Sequence, residues 1–229
     1  MTVKQTVMKF RTWGGKRRRA GRTQVNERKS EPHRKRDRVT PKTPVHVTLR
    51  VAPDVRRLRK DAAYRLIRRA MQHVLARTDF RIVHASIQAN HLHLLVEADH
   101  EGALSKGMQS FLISLARKLN AWMNRNGPVF PDRYHARVIN SRRQARHALA
   151  YVLNNWRRHK EDQRSVERTW KIDRFSSAIG FTGFTGAPSW TAPDDYEPLP
   201  VLAARSWLLV DGWRLYGTIG TDEVPGPFR

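Results

Sequence analysis

One short segment, Asn90 to Glu97 with the sequence NHLHLLVE, constrains the fold of this chain more than any other. Successive side chains of a strand point to opposite faces, so the alternating aliphatic residues share one face and His91 and His93 share the other. The aliphatic face is typical of a packed core. The two imidazoles, two residues apart, can bind one metal ion together. The alternative is a strand whose polar residues face solvent or a helix.

The periodicity of the flanking segments predicts the architecture. The predicted elements are a strand at 44–51, a helix at 55–78, strands at 80–88 and 90–97, a helix at 101–125, a strand at 134–139 and a helix from Ser141 to about His159. Ala89 and Asn90 form a tight turn, in which Asn90 accommodates a positive φ. The order βαββαβ, then α, predicts an α+β fold: a ferredoxin-like sandwich with an antiparallel sheet and an added C-terminal helix. The histidine strand is central in that topology.

The charge is large and unevenly distributed. The chain has 44 Lys and Arg against 20 Asp and Glu, a net charge of +24. Residues 1–43 carry +12, residues 44–159 carry +14, and residues 160–229 carry −2. Basic surfaces gain affinity by releasing counterions from phosphates, so this excess predicts a nucleic-acid partner. An anionic membrane surface is the alternative, although no amphipathic anchor is evident.

Composition also excludes several classes of protein. The chain has no cysteine, which excludes disulfide scaffolds and thiolate metal sites and is compatible with a reducing cytoplasm. No apolar run approaches the roughly 20 residues of a membrane span, and no signal peptide is evident. We therefore expect a cytoplasmic protein without a membrane partner.

The same patterns divide the chain into three parts. Residues 1–43 lack an apolar period and are predicted to be a disordered basic arm. Its residues Arg17, Arg18 and Arg19 are predicted to bind DNA, along the backbone or in a minor groove, and the alternative is a flexible solvated tail. Residues 44–159 form the folded domain. Residues 160–229 form an extension rich in Trp, Pro and Gly. Its aromatic residues either stack on unpaired bases or pack onto the domain, and its charge of −2 favours packing.

The last predicted helix carries a polar stripe at a spacing of four: His147, Tyr151, Asn155 and His159. A tyrosine hydroxyl can attack a phosphodiester when a metal ion neutralises the phosphate, and the Asn155 carboxamide can supply an oxygen ligand to that ion. Alternatively, Tyr151 is an amphipathic core residue and Asn155 a polar surface residue. Tyr134, on the preceding strand, is the rival nucleophile, and His147 either assists Tyr151 or has a structural or DNA-backbone role.

These residues carry a resemblance to a known family. His91-Leu-His93 resembles the His-hydrophobe-His motif of HUH-type single-tyrosine nucleases, and Tyr151-Val-Leu-Asn-Asn155 resembles their Tyr-x-x-x-Asn/Gln helix. The similarity is greatest to the IS200-like transposases and, within them, to the REP-associated tyrosine transposases. The segments 130–137 and 148–155 are also typical of that group. The resemblance covers about Pro44 to His159, and the C-terminal extension is a departure from the smallest members.

The resemblance implies specific roles. His91 and His93 are implied as ligands of a divalent metal ion, Mg²⁺ or Mn²⁺, with Asn155 as third ligand and Tyr151 as nucleophile. Gln88 or Asn90 can supply the polar residue that family members place near the histidine pair. The implied partner is single-stranded or hairpin DNA of a bacterial mobile element, bound by a monomer or homodimer. Basic residues near the implied site are predicted to bind the nucleic acid: Arg133, Arg137, Arg157 and Arg158.

Three functions are compatible with these residues. The first is a metal-dependent single-stranded DNA endonuclease and strand transferase that forms a 5′-phosphotyrosine intermediate. The second is a nucleic-acid-binding protein exapted from a transposase fold, without chemistry. The third is a metallohydrolase acting on another substrate, such as an RNA end, with Glu97 or His84 as a further ligand. A pure binder needs none of the four implied site residues, which favours the first.

The basic excess predicts a strongly salt-dependent affinity for DNA. The logarithm of the affinity should fall linearly with the logarithm of the salt concentration, with a slope of about −0.9 per duplex phosphate neutralised. Removal of residues 1–43 should flatten this slope in a salt titration and leave cleavage of a tightly bound hairpin intact. Loss of cleavage at saturating DNA in the truncated protein would contradict a purely electrostatic arm.

Overall fold

The computed structural model describes residues 37–163, 171–185, 190 and 192–226. The elements are β1 (Val45–Arg50), α1 (Asp61–Gln72), β2 (Phe80–Ile87), β3 (His91–Ala98), α2 (Glu101–Met123), β4 (His135–Val138), α3 (Arg142–Arg158), β5 (Phe184–Thr185), α4 (Trp207–Val210) and β6 (Ile219–Gly220). The first four strands form an antiparallel sheet in the order β2-β3-β1-β4. The predicted α+β fold is confirmed, with the histidine strand in the interior of the sheet. Within the described residues, no helix is both long and apolar enough to cross a membrane.

Both faces of the sheet are covered. All eight residues of β3 are buried. Leu92, Leu94 and Val96 belong to the core that α1 and α2 close on one face, and Leu95 belongs to the core that α3 closes on the other. The predicted alternation along β3 is therefore confirmed. His91 lies on the α3 side with Leu95, so helix α3 covers the polar face.

Two predicted helices are shorter than their apolar periodicity suggested. Helix α1 spans 12 residues instead of 55–78. It starts late because the chain before it turns to bring Leu58 N–H onto Ala89 O, 2.8 Å away, and after Gln72 the chain continues in turns such as Val74 N–H to Met71 O. Helix α2 ends at Met123 because Asn124 adopts a left-handed conformation, with φ of 49°. For α3, the predicted start is confirmed: the Ser141 hydroxyl accepts a hydrogen bond from Gln144 N–H.

The turn between β2 and β3 differs from the prediction in one respect. Gln88 N–H donates to His91 O at 2.8 Å and closes the tight connection, as expected. Asn90, however, is not among the described non-glycine residues with positive φ. Its side chain has a different role, because Asn90 Oδ1 lies 2.8 Å from His91 Nδ1.

The described end of the predicted basic arm is not disordered. Val39 is buried in the main core, and its backbone N–H donates to Glu101 Oε1 at 3.2 Å. Residues 1–36, which include Arg17, Arg18 and Arg19, lie outside the described residues. A deletion that tests the electrostatic role of the arm should therefore end at residue 36 and leave the Val39 contact intact.

The C-terminal extension packs onto both faces of the domain, as its low charge predicted. Trp213 and Ile219 are buried against α3, and Phe175 joins the core on the opposite face. Trp207 is an exception, with 55% of its surface exposed. Trp170 lies outside the described residues. The described aromatic residues therefore serve mainly as packing groups.

A buried ion pair fastens the extension beside the histidine hairpin. Arg59 donates from Nη1 and Nη2 to the Asp173 carboxylate at 2.9 Å, and Arg59 Nη1 also donates to Ile87 O at 3.0 Å. Asp173 is fully buried and accepts a further bond from Phe175 N–H. This network ties the loop before α1, the end of β2 and the segment after α3 to one another.

We predict that Asp173→Ala is strongly destabilising, because it removes both hydrogen-bonded carboxylate contacts of the buried Arg59 guanidinium and leaves, among the described carboxylates, only the longer contact of Arg59 Nε with Glu161, at 3.9 Å. The expected loss is about 3–5 kcal/mol of unfolding free energy in urea denaturation. The control is Asp61→Ala, which breaks the exposed pair of Asp61 with Arg174 and should cost less than about 1 kcal/mol. Equal losses in the two variants would contradict a structural role for the buried pair.

Candidate active site

The polar face of the sheet forms the floor of the site. In the antiparallel register Thr48 pairs with His93, and Arg50 pairs with His91. On the other side of β1, His46 pairs with Arg137 and Thr48 pairs with His135. Because alternate residues of a strand share a face, three neighbouring strands present polar and cationic side chains to α3.

Helix α3 closes a pocket of about 250 Å³ over this floor. The described residues that line it are His46, Thr48, Arg50, His91, His93, His135, Arg137, Tyr151, Arg158 and His159. Three of them are arginines and none is acidic. The pocket therefore suits an anion, and a phosphate group has the charge and the oxygen acceptors that arginine binds best.

The hydrogen bonds of His91 and His93 leave one nitrogen of each ring for a ligand. The carboxamide oxygen of Asn90 accepts only, so His91 Nδ1 carries the proton of that bond and Nε2 keeps its lone pair. His93 Nδ1 lies 3.1 Å from His46 Nε2 and 3.2 Å from Thr48 Oγ1. His93 Nε2 is buried and has no hydrogen-bond partner among the described residues. Such second contacts are typical of metal-binding histidines.

Burial keeps these imidazoles neutral. Desolvation, with smaller contributions from His159 and Arg50, lowers the pKa of His91 to about 4. Desolvation also lowers the pKa of His93 well below its ordinary value, and the neighbouring His46 and His91 act in the same direction. Only the neutral imidazole has a ring nitrogen with a free lone pair, so each ring has one such nitrogen at neutral pH.

Tyr151 reaches the histidines from α3. Its ring centroid lies 5.1 Å from that of His93 and 5.7 Å from that of His46, edge-on in both cases. Burial raises the pKa of Tyr151, and the charge of Arg158 partly opposes this. The rival nucleophile, Tyr134, is buried in the core on the opposite face of the sheet and does not line the pocket.

Asn155 lies one turn after Tyr151 but does not line the pocket. Its side chain is completely buried, and neither Oδ1 nor Nδ2 has a hydrogen-bond partner among the described residues. A buried carboxamide without partners is costly, which points to a further ligand at this position.

The donor set fits a divalent metal ion. Two neutral imidazoles and a carboxamide oxygen are chemically suitable ligands, and the orphaned atoms are His93 Nε2 and the Asn155 amide. Within the described part of the chain, no three His, Asp or Glu side chains converge on a common metal position. The buried Asn155 carboxamide, whose Oδ1 has no hydrogen-bond partner among the described residues, is a candidate third donor of another type.

The four arginines predicted near the site have different surroundings. Arg137 and Arg158 line the pocket, whereas Arg133 is exposed outside it. Arg157 is engaged internally: Nε donates to Thr221 O at 2.7 Å, and Nη1 pairs with Asp162 at 3.0 Å.

Sequence reasoning assigned no role in the site to several pocket residues, namely His46, Thr48, Arg50 and His135. The signal was present, because these residues occupy the polar positions of β1 and β4. Alternation alone does not distinguish a polar face that meets solvent from one that meets a helix.

The residues proposed for a metallohydrolase serve other contacts. The Glu97 carboxylate accepts from Ser206 N–H and Ser206 Oγ, at 2.9 and 2.7 Å. His84 Nδ1 lies 3.1 Å from Ser177 Oγ. Both contacts hold the C-terminal extension, and neither residue lines the pocket. Gln88 Nε2 donates to Ser86 Oγ, so it is Asn90 that contacts the histidine pair.

A ferredoxin-like sheet with paired histidines, a tyrosine and three arginines in one pocket defines a protein suited to a phosphate-bearing substrate. The chain belongs to the family of IS200-like transposases, whose family model matches residues 40–155. Proteins of this family bind and process DNA. The resemblance inferred from the histidine and tyrosine motifs is thereby confirmed at the level of the family.

Among solved structures, the chain is similar to a REP-associated tyrosine transposase bound to a REP hairpin. The identity is 15%, the alignment covers 56% of this chain and 74% of that one, and the TM-score is 0.45. No curated protein matches the chain.

We predict that His91→Ala and His93→Ala each abolish measurable Mn²⁺ binding in calorimetry, because each removes an imidazole lone pair. Asn155→Ala should have a milder effect, since water can replace a neutral carboxamide. DNA affinity should stay within a few-fold, because phosphate contacts by Lys and Arg carry most of the binding. His84→Ala, which alters an imidazole outside the pocket, is the control. Unchanged Mn²⁺ affinity in the double His91→Ala/His93→Ala protein would exclude the site.

Proposed function

We propose that this protein is a metal-dependent single-stranded DNA endonuclease and strand transferase with Tyr151 as its nucleophile. The observation that carries the proposal is the meeting of His91, His93 and Tyr151 in one arginine-lined pocket. Membership of a transposase family supports DNA as the substrate.

The proposed cleavage is a transesterification. Tyr151 Oη forms a bond to the scissile phosphorus, and the bond between that phosphorus and the 3′ oxygen breaks. The phenol loses its proton and the departing 3′ oxygen gains one. The products are a 5′-phosphotyrosine and a free 3′ hydroxyl. In strand transfer, a 3′ hydroxyl attacks the phosphotyrosine and releases Tyr151.

The cations of the pocket are suited to bind the reacting phosphate. Arg50 comes from β1, Arg137 from β4 and Arg158 from the end of α3, so they surround the histidines from three elements. Their charges stabilise the additional negative charge of the transition state, and their planar guanidinium groups orient the phosphate oxygens.

The phenol of Tyr151 must be activated. Because burial raises its pKa, the side chain is protonated at neutral pH and attacks poorly without help. A divalent metal ion held by His91, His93 and Asn155 would supply positive charge to the phosphate and to the developing phenolate. Arg158 contributes in the same direction, since its charge lowers the pKa of Tyr151.

We propose single-stranded or hairpin DNA as the partner, bound by a monomer or a homodimer. A single strand is far more flexible than a duplex, so its backbone can bend to place one phosphate in the pocket. The basic excess outside the pocket then supports the rest of the DNA through its backbone.

We predict that Tyr151→Phe abolishes the covalent protein–DNA adduct, because it removes the attacking oxygen and keeps the ring. The assay is denaturing electrophoresis of a labelled single-stranded hairpin with Mg²⁺ or Mn²⁺, followed by peptide mass spectrometry of the adduct. Tyr134→Phe is the matched control and should retain the adduct.

Each alternative outcome identifies a different function. Binding of the hairpin without cleavage indicates a nucleic-acid-binding protein exapted from the transposase fold. Cleavage without an adduct indicates metal-assisted hydrolysis. An adduct on Tyr134, or one that persists in Tyr151→Phe, overturns the assignment of the nucleophile.

A further inference from the structure

A third histidine, on the neighbouring strand, contacts the predicted ligand pair through His93. His46, on β1, is 4% exposed, and its ring is nearly parallel to that of His93, with centroids 5.2 Å apart and an interplanar angle of 15°. His46 Nε2 lies 3.1 Å from His93 Nδ1. The contact is local to the sheet, because His46 pairs with Leu95 and so sits diagonally across from His93 on the same face.

This hydrogen bond has two possible directions, and they have opposite consequences. If His46 Nε2 donates, His93 Nδ1 is the acceptor and the proton of the neutral His93 ring is on Nε2, where it blocks a metal ion. If His46 Nε2 accepts, His93 Nδ1 carries the proton and Nε2 offers a lone pair. His93 Nε2 is the atom without a partner among the described residues.

We propose that His46 is a positioning residue that accepts the Nδ1 proton of His93 and thereby holds His93 Nε2 ready to bind the metal ion. This inference rests on the proposed metal site. His46 then does for His93 what the Asn90 carboxamide does for His91, where Oδ1 accepts the Nδ1 proton at 2.8 Å. Two residues on different elements thus give the ligand pair the same tautomer.

Thr48 is a second contact of the same nitrogen. Thr48 is the residue opposite His93 in the neighbouring strand, and its Oγ1 lies 3.2 Å from His93 Nδ1. A hydroxyl both donates and accepts, so Thr48 satisfies either tautomer and does not select one. Selection therefore depends on His46, whose ring lies beside that of His93 in a nearly parallel plane.

The test compares Mn²⁺ affinity by calorimetry in the full-length protein and two variants. His46→Ala should weaken Mn²⁺ binding by about 10–100-fold, the usual effect of removing a group that orients a ligand. His46→Gln should restore most of the affinity, because the glutamine side-chain oxygen can reach the position of Nε2 and accept the same proton. Thr48→Val should have a smaller effect than His46→Ala.

A control separates positioning from loss of packing. His84→Ala changes another histidine on the same face of the sheet, bound to Ser177 instead of a predicted ligand. Thermal denaturation of every variant confirms that it is folded. Equal Mn²⁺ affinity in wild type and His46→Ala, or equal weakening in His84→Ala and His46→Ala, would overturn the role of His46. Absence of Mn²⁺ binding by the wild-type protein would instead overturn the proposed metal site.

Nitrogen-15 NMR of the metal-free protein gives a readout independent of both metal and activity. In wild type, His93 should be the neutral tautomer protonated at Nδ1. In His46→Ala, the Nε2-protonated form should gain population, and in His46→Gln the wild-type form should return. A wild-type His93 protonated at Nε2 would overturn the proposal even if the metal affinities changed as expected.

Discussion

The packing of helix α3 over the polar face of β3 is the contact on which the site depends. An interior strand whose two faces are both covered removes its histidines from water, and desolvation is the main reason that His91 and His93 are neutral. The same packing brings the Tyr151 ring beside that of His93, with their centroids 5.1 Å apart. Moving the helix away would re-expose the imidazoles and separate them from the tyrosine at once.

The C-terminal extension holds helix α3 in place through hydrogen bonds and apolar packing. Asn154 Nδ2 donates to Gly220 O at 2.8 Å, and Arg157 Nε donates to Thr221 O at 2.7 Å. Arg146 bonds to Thr218 O and pairs with Glu223. Trp213 fills the space against the apolar side of α3. A segment that carries no pocket residue itself therefore fixes the helix that does.

Two groups of arginines differ in their surroundings: those paired with carboxylates of the protein and those that line the pocket. Arg59 and Arg157 are engaged by carboxylates and carbonyls of the extension, so their charges are compensated within the protein. Arg50 and Arg137 lie in a pocket whose lining contains no acid. The number of basic residues does not show this difference, because each arginine adds the same charge to the count whether its partner is a phosphate or an aspartate.

Local periodicity was sufficient to predict the order of elements, the inner and outer faces of β3, and the spacing that aligns Tyr151 with Asn155. It was insufficient for the start of α1, where the contact of Leu58 with the β2–β3 turn overrides helical propensity. Val39 N–H donates to Glu101, and Asn90 O accepts a hydrogen bond from Val51 N–H; local pattern includes neither of these distant contacts.

The sequence by itself determined which residues are candidates for the chemistry, because paired imidazoles and a helical tyrosine are chemical types at fixed short spacings. Only the tertiary structure decided which other residues join them. His46 and Thr48 reach His93 through strand pairing across more than 40 positions, and the register of that pairing is set by the whole sheet. Desolvation is likewise a property of the assembled layers, so the lowered pKa values of His91 and His93 depend on the packing of α3 over the sheet.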